Sequence, residues 1–275
     1  MSTDGMPEFD HPPVVETVLS ARFRESARLT TARLVQFWEK HLAEDFPDVA
    51  EQPPYAAPVE PAGELPSIPS FLRLEAMLPS PRFWFSKGSE LVQLQGDWIA
   101  FNWRQTEDQG EYLRYAHTRA RFATLLETFE SFVTSVGGSF EPVQVEVTYV
   151  NQVRLEPSDV EAGPFGRVFK DVVPGAGAFL PSPELARFAT SYQIRVAGST
   201  QLGRLHLQAD SALLASGDRS PAVTLNLTAR GRPESPTRAG VLQFCDLGRR
   251  WVVEGFKDVT SDSMHIRWGL KGGKS

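Results

Sequence analysis

The order of strand and helix signals is similar in the two halves of this chain, and this order limits the folds that it can adopt. Strand segments alternate apolar and polar residues, whereas helical segments repeat apolar residues three and four positions apart. The first half reads β-α-ββββ-α, and the second reads β-(α)-βββ-α with a weak early helix. Short turns between strands favour antiparallel sheets with helices on one face. We therefore predict an α+β fold of two similar halves.

The predicted organisation is one compact, pseudo-duplicated unit. Residues 1–13 are polar and contain prolines, so we expect a flexible tail. Residues 14–138 and 139–275 form the two predicted α+β halves. The halves share element order but no residue-level identity, so the duplication is inferred from order alone. A length of 275 residues suits one large domain or two fused subdomains.

The sharpest local prediction is a β-hairpin over residues 91–104. Gly96-Asp97 is a two-residue turn signal between two alternating segments. This turn fixes the register of the two strands. The predicted pairs are Leu91 with Asn102, Val92 with Phe101, Gln93 with Ala100 and Leu94 with Ile99.

The helical signals have recognisable ends. The longest apolar series runs from Phe122 to Val136, with Asp108 or a nearby acid as a possible cap and Gly137-Gly138 as the stop. Ser235-Pro236 is typical of an N-cap followed by a first-turn proline, so it predicts the start of the last long helix. Gly248 lies on or near the apolar stripe of that helix and would let it approach a sheet closely.

Two connections are unusually long. Residues 51–69 contain six prolines, which predict an extended connector. A stiff surface loop is favoured for it, and a wrapped arm, a lid or a subunit contact is the alternative. Residues 157–183 are irregular, and a short helix is predicted at 183–188. Further strands are predicted at 71–78 and 192–196.

Composition excludes several classes of protein. The net charge of −6 argues against general nucleic-acid binding, which needs a basic face. Cys245 is the single cysteine, so no internal disulfide can form, which fits a reducing compartment. No segment approaches the length of a membrane helix, and residues 1–13 do not resemble a signal peptide. We expect a cytoplasmic protein with no membrane contact.

Motifs for catalysis, metals or cofactors are absent from the sequence. There is no phosphate-binding loop, no HExxH, CxxC or GxSxG motif, and the five histidines lack metal spacing. Gly175-Ala176-Gly177 predicts a flexible loop, because no strand and helix flank it. Cys245 lies on an apolar helix face and is expected to be a buried structural thiol. We predict no metal site and no cofactor.

One pattern suggests a ligand site. Polar residues alternate with apolar ones along the strands of the second half, which predicts a sheet with one polar face. Planar donors and acceptors of this kind bind carboxylate, phosphate or peptide groups. The favoured interpretation is a solvated face; a site requires one of the two long connections to cover it. The candidate ligand-binding residues are Glu146, Arg195, Arg204, His206, Gln208, Asn226 and Arg230.

Short segments throughout the chain resemble a known family. These are Pro12-Pro13-Val14-Val15-Glu16, Phe37-Trp38, Glu51-Gln52-Pro53-Pro54, Gly96-Asp97-Trp98 and Trp268-Gly269. In these segments the chain resembles a sporadically distributed bacterial family of unknown function. The resemblance covers nearly the whole chain. It implies a bacterial protein of conserved architecture and assigns no activity or catalytic residue.

Two functions follow as hypotheses. The first is a non-catalytic binding or interaction protein with a protein partner or self-association; the resemblance adds a role in a stress, defence or toxin–antitoxin-like system. The second is an enzyme acting on a small anionic substrate, with Arg204, His206 and Glu146 as anion clamp and acid/base. Single-stranded nucleic-acid binding is disfavoured by the charge.

Overall fold

Nine of the eleven described strands form one large antiparallel sheet with three of the described helices packed against it, and the other two strands pair with each other. The computed structural model describes residues 5–24, 29–55, 58–60, 81–106, 112–170, 179, 183–196, 201–213 and 220–271. The strands are β1 (Glu8–Phe9), β2 (Val14–Phe23), β3 (Asp48–Gln52), β4 (Arg82–Lys87), β5 (Glu90–Gln95), β6 (Trp98–Arg104), β7 (Pro142–Arg154), β8 (Arg187–Arg195), β9 (Gln201–Leu213), β10 (Pro221–Gly231) and β11 (Leu270–Lys271). The helices are α1 (Thr31–His41), α2 (Tyr115–Ser135), α3 (Pro157–Val160), α4 (Arg238–Val259) and α5 (Asp262–Arg267).

The order of the strands joins the two halves at the centre of the sheet. Within the described residues the sheet has nine strands in the order β3-β4-β5-β6-β2-β7-β10-β9-β8. The first strand of each predicted half, β2 and β7, pair with each other, and the remaining strands of each half extend outward. The α+β class is therefore confirmed. Whether the halves arose by duplication stays a prediction.

The β5–β6 hairpin has the predicted register. Leu94 pairs with Ile99 and Val92 pairs with Phe101 across the two-residue turn. These four side chains are buried on the helix-covered face. The agreement follows from locality, because a two-residue turn leaves no freedom in how its two strands align.

The helices α2 and α4 pack on the apolar face. Helix α4 lies very close to the sheet at Gly248, where an added Cβ would lie 2.9 Å from Cγ2 of Val147 and 3.2 Å from Cβ of Ala229. A larger residue would therefore push the helix off the sheet. Helix α2 ends as predicted near Gly137, whose φ of 76° is easily adopted only by glycine. Its predicted cap, Asp108, lies outside the described residues.

Several predicted elements differ from the structure. Residues 187 and 188 belong to β8 instead of a helix, because Phe188 packs edge-on against the rings of Phe165 and Phe169 and the strand pairs with β9. Helix α4 begins at Arg238, two residues later than Ser235-Pro236 would place the first turn. The hydroxyl of Thr237 accepts the N–H of Gly240 and provides the cap.

The ends of the described chain also differ from expectation. Glu8–Phe9, within the predicted tail, pairs with Leu270–Lys271, and Phe9 is buried against Phe256 and Trp268. Residues 51–52 extend β3 instead of beginning a connector. The predicted strand at 71–78 lies outside the described residues. None of the described helices is both long enough and apolar enough to span a membrane.

Candidate functional site

The polar face of the second half is organised in rows that cross the strands. Arg230 on β10 lies directly opposite Arg204 on β9 and opposite Glu146 on β7. In the next row, Thr228 lies opposite His206 and Thr148. Side chains at directly opposite positions of antiparallel strands are close enough to interact. The pleat therefore gathers four of the seven predicted residues into adjacent rows of the face.

A carboxylate from the proline-rich connection lies in the middle of this group. Glu60 forms an ion pair with Arg204, and its Oε2 lies 2.7 Å from Nε2 of His206. Glu60 and Arg204 are only 6% and 2% exposed, so the pair is shielded from solvent. The charge of the arginine and the charge of the carboxylate therefore balance each other inside the protein.

The surroundings of Glu60 favour its ionised form. Burial alone raises the pKa of the Glu60 carboxyl, but hydrogen bonds from His206 and Arg204 outweigh it, and the pKa lies below its usual value. A carboxylate can only accept hydrogen bonds, so Nε2 of His206 carries a proton. The other ring nitrogen, Nδ1, lies 3.0 Å from Oγ of the exposed Ser191.

Two glutamine side chains bind the backbone of the same connection. Oε1 of Gln144 accepts the N–H of Glu60 at 2.9 Å, and its Nε2 donates to the carbonyl of Pro58 at 2.9 Å. Gln95 makes the equivalent pair with Tyr55, accepting from N–H at 2.7 Å and donating to the carbonyl at 3.1 Å. Each carboxamide thus provides the donor and acceptor that a neighbouring strand would offer.

A second ion pair continues the face toward the centre of the sheet. Nε of Arg230 donates to Oε1 of Glu146 at 2.8 Å, and a second nitrogen lies 3.3 Å from Oε2. Nε2 of Gln144 also donates to Glu146 at 3.0 Å. Gln144 therefore connects the Glu146 pair to the segment that carries Glu60. We call Glu60, Gln144, Glu146, Arg204, His206 and Arg230 the acidic-segment site.

Three predicted residues lie outside this site. Gln208 is exposed and donates to Asp210. Arg195 is exposed on the edge strand, beyond a register shift, and donates to Gln193. Oδ1 of Asn226 is buried and has no hydrogen-bond partner among the described residues. The structure therefore brings together Glu146, Arg204, His206 and Arg230, and leaves these three apart.

Sequence reasoning missed Glu60, Gln144, Gln95 and Ser191. The two glutamines follow the same alternation of polar and apolar residues as the predicted ones. The alternation along their strands could therefore have placed them on the polar face. Ser191 carries the same signal on β8. For Glu60 the signal was weaker, since an acid in a proline-rich connection has no periodicity to place it on a face.

The polar face of the first half includes a hydrogen-bonded series of neutral amides. Gln93 accepts the indole N–H of Trp84 at 2.9 Å and donates to Oδ1 of Asn102 at 2.9 Å. Asn102 in turn donates to Glu16. Trp98 is 5% exposed, and its ring centroid lies 5.2 Å from that of Tyr55. This half therefore contributes packing and backbone contacts to the face.

The remaining predictions concern metal ligands, the single cysteine and the Gly175-Ala176-Gly177 segment. No cluster of three or more potential metal ligands occurs among them. Cys245 is fully buried on α4, and burial raises the pKa of its thiol, as expected for a structural residue. Gly175-Ala176-Gly177 lies outside the described part of the chain.

Comparison with known proteins does not assign this chain to a family. No protein-family model matches it, and no curated protein matches it. The resemblance to a bacterial family of unknown function therefore stays a prediction.

Proposed function

We propose that this chain is a non-catalytic interaction protein whose polar sheet face binds an extended, acidic segment of a protein partner. The supporting observation is that the chain's own Pro58–Glu60 region already lies there, with its backbone on Gln144 and its carboxylate on Arg204 and His206. We infer that this resident segment has the chemistry of the partner's segment: an extended backbone with one carboxylate.

The glutamine contacts would provide affinity for any peptide backbone, and the Arg204 and His206 contacts would provide specificity. The two glutamine carboxamides bind peptide groups, which every protein segment carries. Arg204 and His206 select a carboxylate, because replacing it by a neutral amide loses charge-assisted hydrogen bonds in a shielded position. A partner segment with aspartate or glutamate would therefore be preferred over a neutral one.

The resident segment and the partner compete in this proposal. The resident segment is tethered, so its effective concentration is high, and a free segment binds the intact chain weakly. Removing the charge of Glu60 weakens the resident segment and favours the partner. A second copy of the chain carries the same segment, so self-association by exchange belongs to the same mechanism. We also propose that the partner belongs to a bacterial stress, defence or toxin–antitoxin-like system, which rests on the resemblance alone.

A peptide titration tests the proposal. The probe is the labelled peptide PYAAPVE, residues 54–60, with blocked ends, and the matched probe carries glutamine in place of its glutamate. We expect the full chain with Glu60→Gln to bind the glutamate peptide about tenfold more tightly than the glutamine peptide. Fluorescence anisotropy measures both affinities, and circular dichroism checks that the variant is folded.

A matched variant separates this effect from general charge removal. Glu51→Gln removes an exposed carboxylate on β3 that does not belong to the acidic-segment site. We therefore expect this variant to bind both peptides as weakly as the unmodified chain does. Adding Arg204→Met to Glu60→Gln removes the preference for the glutamate peptide. Equal binding of the two peptides by Glu60→Gln, or no binding of either, contradicts the proposal.

The hydrogen-bonded series Ser191–His206–Glu60 favours one second candidate. We propose as the alternative an enzyme that acts on a small anionic substrate. Glu60 orients the ring, and Nδ1 of His206 lies within reach of the exposed hydroxyl of Ser191. Glu146, which the sequence suggested for acid/base chemistry, is instead engaged with Arg230. The enzymatic proposal therefore uses Glu60 in its place.

Hydrolysis of p-nitrophenyl hydrogen succinate tests this alternative. Oγ of Ser191 would attack the ester carbonyl as its proton passes to His206, p-nitrophenolate would leave, and water would release succinate from the serine. We expect Ser191→Ala and His206→Gln to abolish release, whereas Ser263→Ala, on α5, leaves it unchanged. A rate for the unmodified chain equal to that of buffer contradicts the enzymatic proposal.

A further inference from the structure

A cavity on the opposite side of the sheet contains an arginine that forms no ion pair with any of the described carboxylates. The cavity has a volume of about 800 Å³ and lies between α2, α4, β7 and residues 5–14. This volume is in the range of small-molecule sites in proteins. Four arginines reach its lining, and the environment of each determines whether it is available to a ligand. They are Arg114, Arg119, Arg249 and Arg250.

Three of these arginines are already engaged or lie at the rim. Arg119 forms two hydrogen bonds to Asp246, at 2.7 and 2.9 Å. Arg114 donates to the backbone carbonyls of Phe9 and Asp10. Arg250 is exposed to solvent. The guanidinium groups of Arg119 and Arg114 are therefore already hydrogen-bonded, and Arg250 faces solvent.

Arg249 is different. Its guanidinium lies 4.7 Å from the ring centroid of Tyr115, and none of the described carboxylates lies within ion-pair distance of it. Its side chain hydrogen-bonds to Tyr149, and its Nε is buried with no hydrogen-bond partner among the described residues. A buried, unsatisfied donor costs free energy, so the described contacts leave this arginine incompletely stabilised, while its side chain lines the cavity.

The rest of the lining suits an aromatic anion. The rings of Tyr112, Tyr115 and Phe9 and the side chain of Val252 provide flat and apolar surface. Burial raises the pKa of the Tyr112 and Tyr149 hydroxyls, so both remain protonated, and the two hydroxyls hydrogen-bond to each other. The lining thus combines one cation without a carboxylate partner among the described residues, neutral hydroxyls and ring surfaces.

We propose that this cavity binds a small aromatic carboxylate, with the carboxylate on Arg249 and the ring between Tyr112 and the apolar wall. This site is independent of the acidic-segment site, because it lies on the other face of the sheet and shares no residue with it. Arg249 recognises the charge, and the ring-lined walls recognise the body of the ligand.

Isothermal titration calorimetry with the full chain tests the site. The probes are 1-naphthoate, its neutral counterpart 1-naphthalenemethanol, and inorganic phosphate. We expect 1-naphthoate to bind about tenfold or more tightly than either of the others, because only it satisfies both the charge and the ring surfaces. Arg249→Met should reduce 1-naphthoate affinity about tenfold and leave the neutral probe unchanged.

Two further variants keep the result interpretable. Lys257→Met removes a cation from the same helix outside the cavity and should leave 1-naphthoate binding unchanged. Arg249→Lys keeps the charge and should retain part of the affinity, which guards against a folding defect in Arg249→Met. The proposal is overturned if 1-naphthoate does not bind, if the neutral probe binds equally well, or if both Arg249 variants bind as the unmodified chain does.

Discussion

Arg204, buried on β9, and Arg249, partly buried on α4, differ in what lies beside their charges. Arg204, on the polar face, is paired with Glu60 from a connection far away in sequence. Arg249, on the helix side, stacks on Tyr115 and has a buried nitrogen without a partner. The protein therefore supplies its own anion at one site and leaves the other able to accept one.

This difference indicates how each site can be occupied. A ligand at the polar face must replace a resident carboxylate, so it competes with the chain itself. A ligand at Arg249 would meet no resident carboxylate among the described residues. Substitution of Arg204 should consequently lower the free energy of unfolding, whereas substitution of Arg249 should change it little.

The largest effect is expected for Arg204→Met. The substitution leaves the buried Glu60 carboxylate with His206 as its remaining described side-chain partner, and an unbalanced buried charge costs about 3–5 kcal/mol. Urea denaturation measures the free energy of unfolding. The control Arg195→Met, on the exposed edge of the sheet, should change it by less than about 0.5 kcal/mol. Similar losses for both variants would mean that the Glu60 pair is not special.

An intermediate effect is expected in acid. The pKa of Glu60 is lowered in the folded chain, so its contribution is fully present above the ordinary value of 4.5 and is lost as pH falls through the folded-state pKa. Glu60→Gln cannot lose this contribution. Its free energy of unfolding should therefore decrease less than that of the unmodified chain over this acidic range, as measured by urea denaturation at a series of pH values.

The matched acid for this experiment is Glu51. Glu51→Gln, on exposed β3, should retain the acid dependence of the unmodified chain. If Glu60→Gln and the unmodified chain follow the same pH dependence, the carboxylate of Glu60 does not stabilise the fold in the way that its contacts indicate.

The smallest effect is expected for Arg249→Met without ligand. No ion pair is lost and an unsatisfied nitrogen is removed, so the free energy of unfolding should change by less than about 1 kcal/mol. The melting temperature and urea midpoint measure this change. A loss as large as that of Arg204→Met would show that Arg249 is a structural residue, and would remove the contrast between the two sites.

The sequence predicted most of what depends on neighbours along the chain. The register of the β5–β6 hairpin and the stop of α2 at Gly137 follow from two or three local residues. The position of Arg204, His206 and Arg230 on the polar face follows from the alternation of polar and apolar residues along single strands. Where two local signals compete, the prediction was less accurate. Ser235 and Thr237 both have the chemistry of a helix cap, and Thr237 is the one that accepts the N–H of Gly240.

Three predicted site residues show that alternation along a strand is not enough to predict which residues form a site. Gln208, Arg195 and Asn226 lie on the predicted strands, but none joins the acidic-segment site. Alternation along a strand predicts which face of the sheet a side chain lies on. Whether that side chain belongs to a site depends on the residue opposite it on the next strand and on the segment that covers the face. A register shift near Arg195 illustrates this, because its position relative to β9 cannot be read from β8 alone.

By itself, the sequence determined the α+β class, the apolar helix faces and the polar side of the second-half strands. These properties follow from the periods of helices and strands, which are local. Only the tertiary structure decided that Glu60 neutralises Arg204, 144 residues away, and that no described carboxylate pairs with Arg249. The physical reason is that an ion pair depends on the distance between two side chains in space, and that distance is set by sheet order and helix packing.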